Sequence, residues 1–299
     1  MQVEIVIIGG SFAGLAAALQ LARAQRKVVV IDANQPRNRF AHASHGVFGL
    51  DGKTPAEIRT TVLAQLELYP SFSLQETQAI GVEQTQTGYA VLTADGMNIR
   101  CQRLILAMGI QDTLPNIEGV ATYWGKAVAH CPYCHGYELR GKSLGVLASS
   151  ELAMHQALML PDWGPTTLFT QQAFVPNDGE RHALAKRQVQ IETTPIVSVH
   201  GDGELLTHVV LADGRTVALQ GLFVAPQIQL PTPLIETLGL ALEAGPFGNV
   251  VKVDAQKESS LSGVFVAGDL SNQMQSATLA IASGTMAGIA AHRSLIFTP

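Results

Sequence analysis

Residues 130 to 136 read His-Cys-Pro-Tyr-Cys-His-Gly, so that Cys131 and Cys134 stand two residues apart with His130 and His135 outside them. Two thiols at this spacing can close a small disulfide ring, and such thiols have depressed and separated pKa values suited to exchange chemistry. An imidazole with an ordinary pKa of about 6.5 can take or return the proton at neutral pH. The same letters also spell the Cys-x-x-Cys-His signature of haem attachment, and cysteines with histidines could ligate zinc. The motif alone leaves these chemistries open, and the surrounding chain has to decide.

With 299 residues the chain is long enough for two domains of ordinary size. Its 19 Lys and Arg against 24 Asp and Glu give a net charge of −5, with no basic run, so nucleic acid is not an expected partner. No apolar run approaches the roughly 18 to 20 residues that cross a bilayer, and no membrane partner is expected. The opening Met1-Gln2-Val3-Glu4-Ile5 lacks a basic start and cleavage site and runs straight into a strand, which gives the expectation of a cytoplasmic protein. Three cysteines, two of them in one motif, are too few for a disulfide framework and favour a catalytic pair.

The elements that must position this pair begin at the N-terminus. Val3 to Ile8 is a continuous apolar strand, Ala13 to Ala24 has helix-forming composition, and Lys27 to Ile31 is a second apolar strand closing at Asp32. Between the first strand and the helix lies Gly9-Gly10-Ser11-Phe12-Ala13-Gly14. Glycines there let the backbone approach a pyrophosphate at the helix N-terminus, and an acid roughly 20 residues on accepts ribose hydroxyls. Ser11 departs from the usual second glycine. Residues 33 to 54 read as a loop that could wrap a ligand, containing Pro36-Arg37-Asn38-Arg39, His42 and His45, and Pro55 to Leu68 reads as a helix with Pro55 in its first turn.

A repeat organises the middle of the chain. Val91 to Ala107 aligns without gaps on Val209 to Ala225, each stretch a hairpin around an Asp-Gly turn followed by a short apolar strand. The alignment sets Cys101 opposite Leu219, an apolar position, so Cys101 reads as structural. The second copy should carry its own βαβ unit, starting with the strand Ser143 to Leu147. Its loop, however, reads Ala148-Ser149-Ser150-Glu151-Leu152-Ala153, and its second strand, Thr166 to Thr170, ends in Gln171-Gln172. Side chains at the glycine positions crowd a pyrophosphate, and Glu151 repels it. No arginine pair follows to hold a 2′-phosphate. Pro226 to Pro233 reads as a proline-rich return linker. Gly263 to Asp269 is an apolar strand ending in Gly268-Asp269, and Gln275 to Leu295 is a long helix of small residues. A Gly-Asp between such a strand and helix could hold the ribityl and phosphate part of a flavin.

With these residues in order, the chain resembles the low-molecular-weight thioredoxin reductase family over essentially its whole length. The resemblance rests on the Gly-rich βαβ, Leu106-Ala107-Met108-Gly109, the Cys131-x-x-Cys134 pair and Gly-Val-Phe-Val-Ala-Gly-Asp near the end. It implies an α/β fold of two Rossmann-like, three-layer domains. An FAD-binding domain of residues 1–114 and 228–299 is split by an inserted pyridine-nucleotide-type domain of residues 115–227 that carries the cysteine pair. It further implies a homodimer, and a swivel of the inserted domain that takes the pair between flavin and substrate. FAD would be held by Gly9, Gly10, Ser11, Phe12, Ala13, Gly14, Asp32 and Ala33, by Arg39 and His45 in the loop, by Ala79, Ala107 and Gly109, and by Gly268, Asp269, Ser276 and Ala277.

Two departures set the chain apart within that family. The pyridine-nucleotide fingerprint is lost, so NADPH is not the expected donor, and His135 stands where the family has an aspartate. Cys-Pro-Tyr-Cys-His-Gly-Tyr-Glu, with the Pro36 to Arg39 loop, is most similar to the flavin dithiol oxidases that close disulfides in small natural products such as gliotoxin and holomycin. The resemblance implies that Cys134 faces the flavin, that Cys131 meets the substrate, and that His135, with His130 assisting, moves protons. The expected function is an FAD-dependent dithiol/disulfide oxidoreductase. It would oxidise a dithiol, either a small molecule or a thioredoxin-like protein, with oxygen as acceptor, without NADPH and without a metal. The alternative is a thioredoxin reductase, linked to NADPH or ferredoxin, that reduces a protein disulfide. A haem or zinc protein is a remote third reading.

Overall fold

The computed structural model describes residues 1–230 and 233–297. In chain order, the elements that position the site are β1 (Ile5–Ile8), α1 (Phe12–Arg23), β2 (Val28–Ile31), α2 (Pro55–Leu66), β3 (Phe72–Gln75) and β4 (Arg103–Leu106). Then come β5 (Val128–Ala129), α3 (Pro132–His135), β6 (Leu144–Leu147), α4 (Ala153–Met159), β7 (Thr166–Phe169), β8 (Gln190–Glu192), β9 (Gly221–Val224), β10 (Val264–Val266) and α5 (Ala277–Phe297). The strands form two five-stranded parallel sheets, ordered β10-β4-β1-β2-β3 and β8-β7-β6-β9-β5.

β1 and β2 are continuous Val and Ile runs buried along their whole length, and β4 and β6 are buried apolar strands apart from the half-buried Arg103 that opens β4, the signature of a parallel sheet covered on both faces. The first sheet draws β10 and α5 from the far end of the chain, and the second lies wholly between residues 128 and 224. This is an α/β fold of two Rossmann-like sheets, the second interposed in the chain of the first.

Helices α1 and α5 pack closely because α5 has glycines at the crossing. A Cβ on Gly284 would stand 2.0 Å from the Ala13 carbonyl oxygen, and one on Gly288 would stand 2.7 Å from that of Ala17. Helix α2 opens with Pro55 and a reciprocal cap between Thr54 and Glu57, and it ends two residues before the sequence-based expectation. The repeat is visible as a pair of three-stranded antiparallel sheets, Ala79–Thr85, Gly88–Thr93 and Asn98–Cys101 in the first copy and Ile196–Asp202, Leu205–Leu211 and Thr216–Ala218 in the second. Cys101 is buried there, and burial pushes its thiol up to about 12, so it stays protonated and inert.

The stretch read as a return linker is partly ordered as sheet. Gln227–Gln229 pairs antiparallel with Gln111–Thr113, forming a ribbon where the chain leaves for the second sheet and comes back. The proline pattern predicted a linker because the partner strand lies more than a hundred residues away. Pro231 and Thr232 of that stretch lie outside the described residues.

Candidate functional site

Strand β5 leads directly into the cysteine motif. Cys131 and Cys134 are joined as a disulfide with Cα atoms 5.3 Å apart. Pro132, at the first position of α3, presets the turn, and the Cys134 amide donates to the Cys131 carbonyl at 3.2 Å. Trp163 walls the turn on one side. A Cβ on Gly136 would lie 2.8 Å from its ring, and Tyr133 meets it edge-on with centroids 5.7 Å apart. On the other side the Trp124 and His130 rings lie 5.9 Å apart, and Gln156 Nε2 of α4 donates to the His130 carbonyl at 2.7 Å.

Both flanking histidines are held neutral. Burial, reinforced by the nearby Arg37 guanidinium, pushes His130 down to about 3. Burial also lowers His135, against the opposing pull of the Gly125 carbonyl. His135 Nε2 lies 3.3 Å from that carbonyl oxygen, which can only accept, so the proton belongs on Nε2 and Nδ1 carries the free lone pair. Nδ1 is buried and has no hydrogen-bond partner among the described residues. A bare imidazole nitrogen beside a cysteine pair can take the proton of a thiol.

A second locus gathers the residues expected to hold a dinucleotide. Gly9 has φ +106°, and a Cβ there would stand 2.3 Å from the Ala107 carbonyl oxygen; on Gly10 it would stand 2.8 Å from Asp32, and on Gly14 1.8 Å from the Gly9 carbonyl oxygen. A Cβ on Gly268 would meet that of Ala13 at 2.9 Å. Residues 9 to 14, Asp32, Ala107 and Gly268 therefore converge on the N-terminus of α1. Ser11 occupies the N-cap without a side-chain capping bond, and no acid stands in the first turn, so the leading amides of α1 remain for an anion. Asp32, buried at the end of β2, accepts from Arg59 Nη2 at 2.9 Å. Asp269 follows β10 in the turn Gly268–Leu270, where burial raises its pKa and Arg37 opposes the rise. Open amides, a glycine cradle and a terminal acid fit the pyrophosphate, the close backbone approach and the ribose of FAD.

The remaining candidates are less central. Ala33 is exposed beside Asp32, Ala79 is buried at the start of its hairpin strand, and Gly109 turns the chain after β4 with φ +68°. Ser276 Oγ caps α5 by accepting from the Leu279 amide at 3.1 Å, and Ala277 opens that helix. Arg39 is exposed, stacked over Phe40 at 4.2 Å and bonded to the Pro36 carbonyl, so its guanidinium is committed within its own turn. His45 sits between Asp51 and Glu138, 3.5 Å from each. The sequence pointed to Arg39, whereas the inward arginine is Arg37, bonded to Asp112 and Asp269. Those carboxylates lie 75 and 232 residues away, and no local spacing connects them to Arg37.

The second βαβ unit has the same frame and a different turn. The backbone after Ala148 closes into successive short turns, with Ala153, Met154 and His155 amides donating to Ser150, Glu151 and Leu152 carbonyls at 3.0 to 3.2 Å. These bonds start α4 at Ala153 and take up the amides that correspond to Gly14, Leu15 and Ala16 of the first turn, and the Leu152 amide donates to Ser150 Oγ at 3.4 Å. Thr170 stands where the first unit has Asp32, and Gln171 after it is bonded to the Ile196 backbone by both ends of its amide, at 2.7 and 3.2 Å.

Comparisons with known proteins bear on both loci. A family model described as pyridine nucleotide-disulphide oxidoreductase matches residues 3–284. The chain is 33% identical over 305 residues to thioredoxin reductase tcpT of Claviceps purpurea (strain 20.1), covering 98% of this chain and 94% of that one. Among solved structures, an oxidoreductase from Agrobacterium tumefaciens is 45% identical with a TM-score of 0.95 over 100% of both chains. The crystal structure of HlmI is 31% identical with a TM-score of 0.91, over 99% of this chain and 93% of that one.

Proposed function

Since the chain belongs to the pyridine nucleotide-disulphide oxidoreductase family and is an FAD-dependent disulfide oxidoreductase acting through Cys131 and Cys134, we propose that it exchanges electrons with a dithiol substrate and does not use NADPH. The observation that carries this reading is the second βαβ turn, where Ala148, Ser149 and Ala153 stand in place of the three glycines of the first, Glu151 adds a negative charge, and Gln171 just beyond the second strand is tied to Ile196. In the dithiol oxidase direction, a substrate thiolate attacks Cys131 Sγ, the disulfide breaks, and the electron pair leaves on Cys134. A second substrate thiol displaces Cys131 and completes the substrate disulfide. His135 Nδ1 takes a thiol proton, and His130, kept neutral, assists. A bound FAD would supply the two-electron acceptor needed to restore the Cys131–Cys134 disulfide, with oxygen as the final acceptor. Residues 9 to 14, Asp32, Ala33, Ala107, Gly109, Gly268 and Asp269 would hold it, in a domain of residues 1–114 and 228–299 split by residues 115–227. The active form is taken as a homodimer of the cytoplasm.

The names of relatives favour a second reading. tcpT is named a thioredoxin reductase, and on names alone a reductase acting on a protein disulfide is the better supported alternative. No helix among the described residues is long and apolar enough to cross a membrane, which suits either reading. Anaerobic titration of the holoprotein with NADPH and, separately, with dithiothreitol discriminates between them through the flavin absorbance band. Bleaching by the dithiol alone, with peroxide formed once oxygen is admitted, is the expected result. Rapid bleaching by low NADPH would return the chain to the NADPH-dependent reductases.

A further inference from the structure

A buried polar cluster centred on Arg37 joins three segments distant in sequence. The guanidinium donates from Nε and Nη2 to the two oxygens of Asp112 at 2.8 and 2.6 Å, and from Nη1 to Asp269 Oδ2 and Gln275 Oε1 at 3.0 Å each. Burial works to lower the pKa of Arg37, but Asp112 and Asp269 outweigh it, so the group stays charged. A guanidinium only donates, so the Gln275 amide must present its oxygen to Arg37 and turn its nitrogen away. That nitrogen is buried and has no hydrogen-bond partner among the described residues. A buried donor without an acceptor is costly, and its place beside Asp269 calls for an acceptor the chain does not supply.

We propose that Gln275 is a cofactor-contacting residue whose amide nitrogen donates to an oxygen of the polyhydroxyl and phosphate part of FAD. Arg37, clamped by Asp112, is the positioning residue that aims both Gln275 and Asp269. The inference rests on Asp269 lying in the FAD cradle. It gives Asp112 a role that no local pattern shows. This residue belongs to Gln111–Thr113, half of the ribbon through which the chain passes to the second sheet, so the cradle and the ribbon are fastened by one side chain.

The test is the rate at which FAD leaves purified holoprotein after dilution, followed by the rise of free-flavin fluorescence. Asp269→Ala calibrates the cradle and is expected to release FAD more than tenfold faster. Gln275→Leu and Arg37→Lys should each speed release about tenfold, and the double variant little more than either alone, because the second change removes a contact already lost. Asp112→Asn should speed it about threefold. Gln275→Glu gives Arg37 a better partner and raises the unfolding temperature, yet it still speeds release, since an acceptor has replaced the donor; a merely structural Gln275 would release no faster. Should Arg37→Lys fail to yield holoprotein, Asp112→Asn and the two Gln275 variants still decide. Release from Gln275→Leu within about twofold of the unmodified protein, while Asp269→Ala is fast, overturns the inference alone. Additive effects in the double variant overturn the role of Arg37. Unchanged release from Asp269→Ala overturns the cradle reading, and the inference with it.

Discussion

The two strand-to-helix turns of this molecule start from the same anchor. The Gly9 amide donates to the Ile31 carbonyl at 2.8 Å, and the Ala148 amide donates to the Phe169 carbonyl at 3.0 Å, in sheets that share the order of four strands, β4-β1-β2-β3 and β9-β6-β7-β8. Beyond that anchor they diverge. The first turn uses glycines that tolerate backbone contact and leaves the amides of α1 open, whereas the second has side chains at all three glycine positions and draws the Leu152 amide onto Ser150 Oγ. A parallel sheet is maintained by its apolar strands, and the chemistry at its carboxyl edge is free to change. The same contrast recurs two strands away, at the edge of each sheet. β10 delivers Gly268 and Asp269 to the edge of the first sheet, and β5 delivers His130 and Cys131 to the corresponding edge of the second. One fold has thus been used for a cofactor cradle and for a redox pair.

The largest effect expected from this difference is at paired positions of the two turns. Gly14→Ala places a methyl where only 1.8 Å separates it from the Gly9 carbonyl oxygen, and the obstacle is backbone. We expect a loss of about 3 kcal/mol or more, with FAD no longer retained on gel filtration. The reciprocal Ala153→Gly removes a buried methyl from the start of α4 and should cost about 1 kcal/mol, with FAD retained. Equal tolerance at the two sites in denaturant melts would break the comparison.

The next largest effect concerns charge at the two edges. At the end of β10 a carboxylate is paired with Arg37, and at the end of β5 an imidazole is buried neutral. The pKa of His130 is pushed down to about 3 in the folded protein, while the unfolded chain keeps about 6.5. Between those values the unfolded state binds the proton and the native state does not. Stability is therefore fully present above about pH 6.5 and falls as pH drops, by about 1.4 kcal/mol per unit, or about 2 kcal/mol at pH 5. His135 acts in the same direction. Urea melts at pH 7 and pH 5 should show this loss, and His130→Asn should recover most of it. An unchanged slope in that variant would mean that His130 is protonated in place.

These contrasts mark what the sequence could and could not disclose. The inner strands of both sheets were legible because runs such as Ile5 to Ile8 and Leu144 to Leu147 are apolar, and the duplicated hairpins were legible from their Asp-Gly turns, whereas the short edge strands Phe72–Gln75, Val128–Ala129 and Gln190–Glu192 carry no such run. The missing glycines at Ala148 to Ala153 were legible too, but not the hold of the Ser150 side chain on the Leu152 amide. Arg37 was not distinguishable from Arg39, because both lie in one polar loop and only tertiary contacts with Asp112 and Asp269 separate them. Gln156 and Gln275 escaped for the same reason. Each acts through a single amide on a residue more than twenty positions away, and a glutamine in a helix or loop carries no signal of its own.

A smaller effect sharpens the reading of the second turn. Gln171 holds Ile196 by two hydrogen bonds from a backbone with φ +50°, so Gln171→Ala should cost about 1 to 2 kcal/mol of stability. Because this amide serves the fold, the variant should leave the response of the flavin to both dithiothreitol and NADPH as it was. A change in NADPH reactivity, with stability unaltered, would make Gln171 a nucleotide contact and weaken the case that the second unit takes no nucleotide.

The smallest effect lies where the two regions meet at the surface. Glu204, on the turn of the hairpin after β8, accepts from His42 and Lys126, each at 2.6 Å, so the loop that follows β2 is tied to the second unit. Lys126 and then His42 hold the Glu204 carboxyl below the usual carboxylate range. The side chains of His42 and Glu204 are nevertheless 68% and 52% exposed, and water and salt screen such pairs. Glu204→Gln should therefore shift the unfolding temperature by no more than about 2 °C, with the difference vanishing at high salt. The buried cores beneath each sheet, not this surface contact, then carry the stability of both regions. A larger, salt-resistant drop would show instead that the loop's grip on the second unit is part of what holds the cysteine pair beside the cradle.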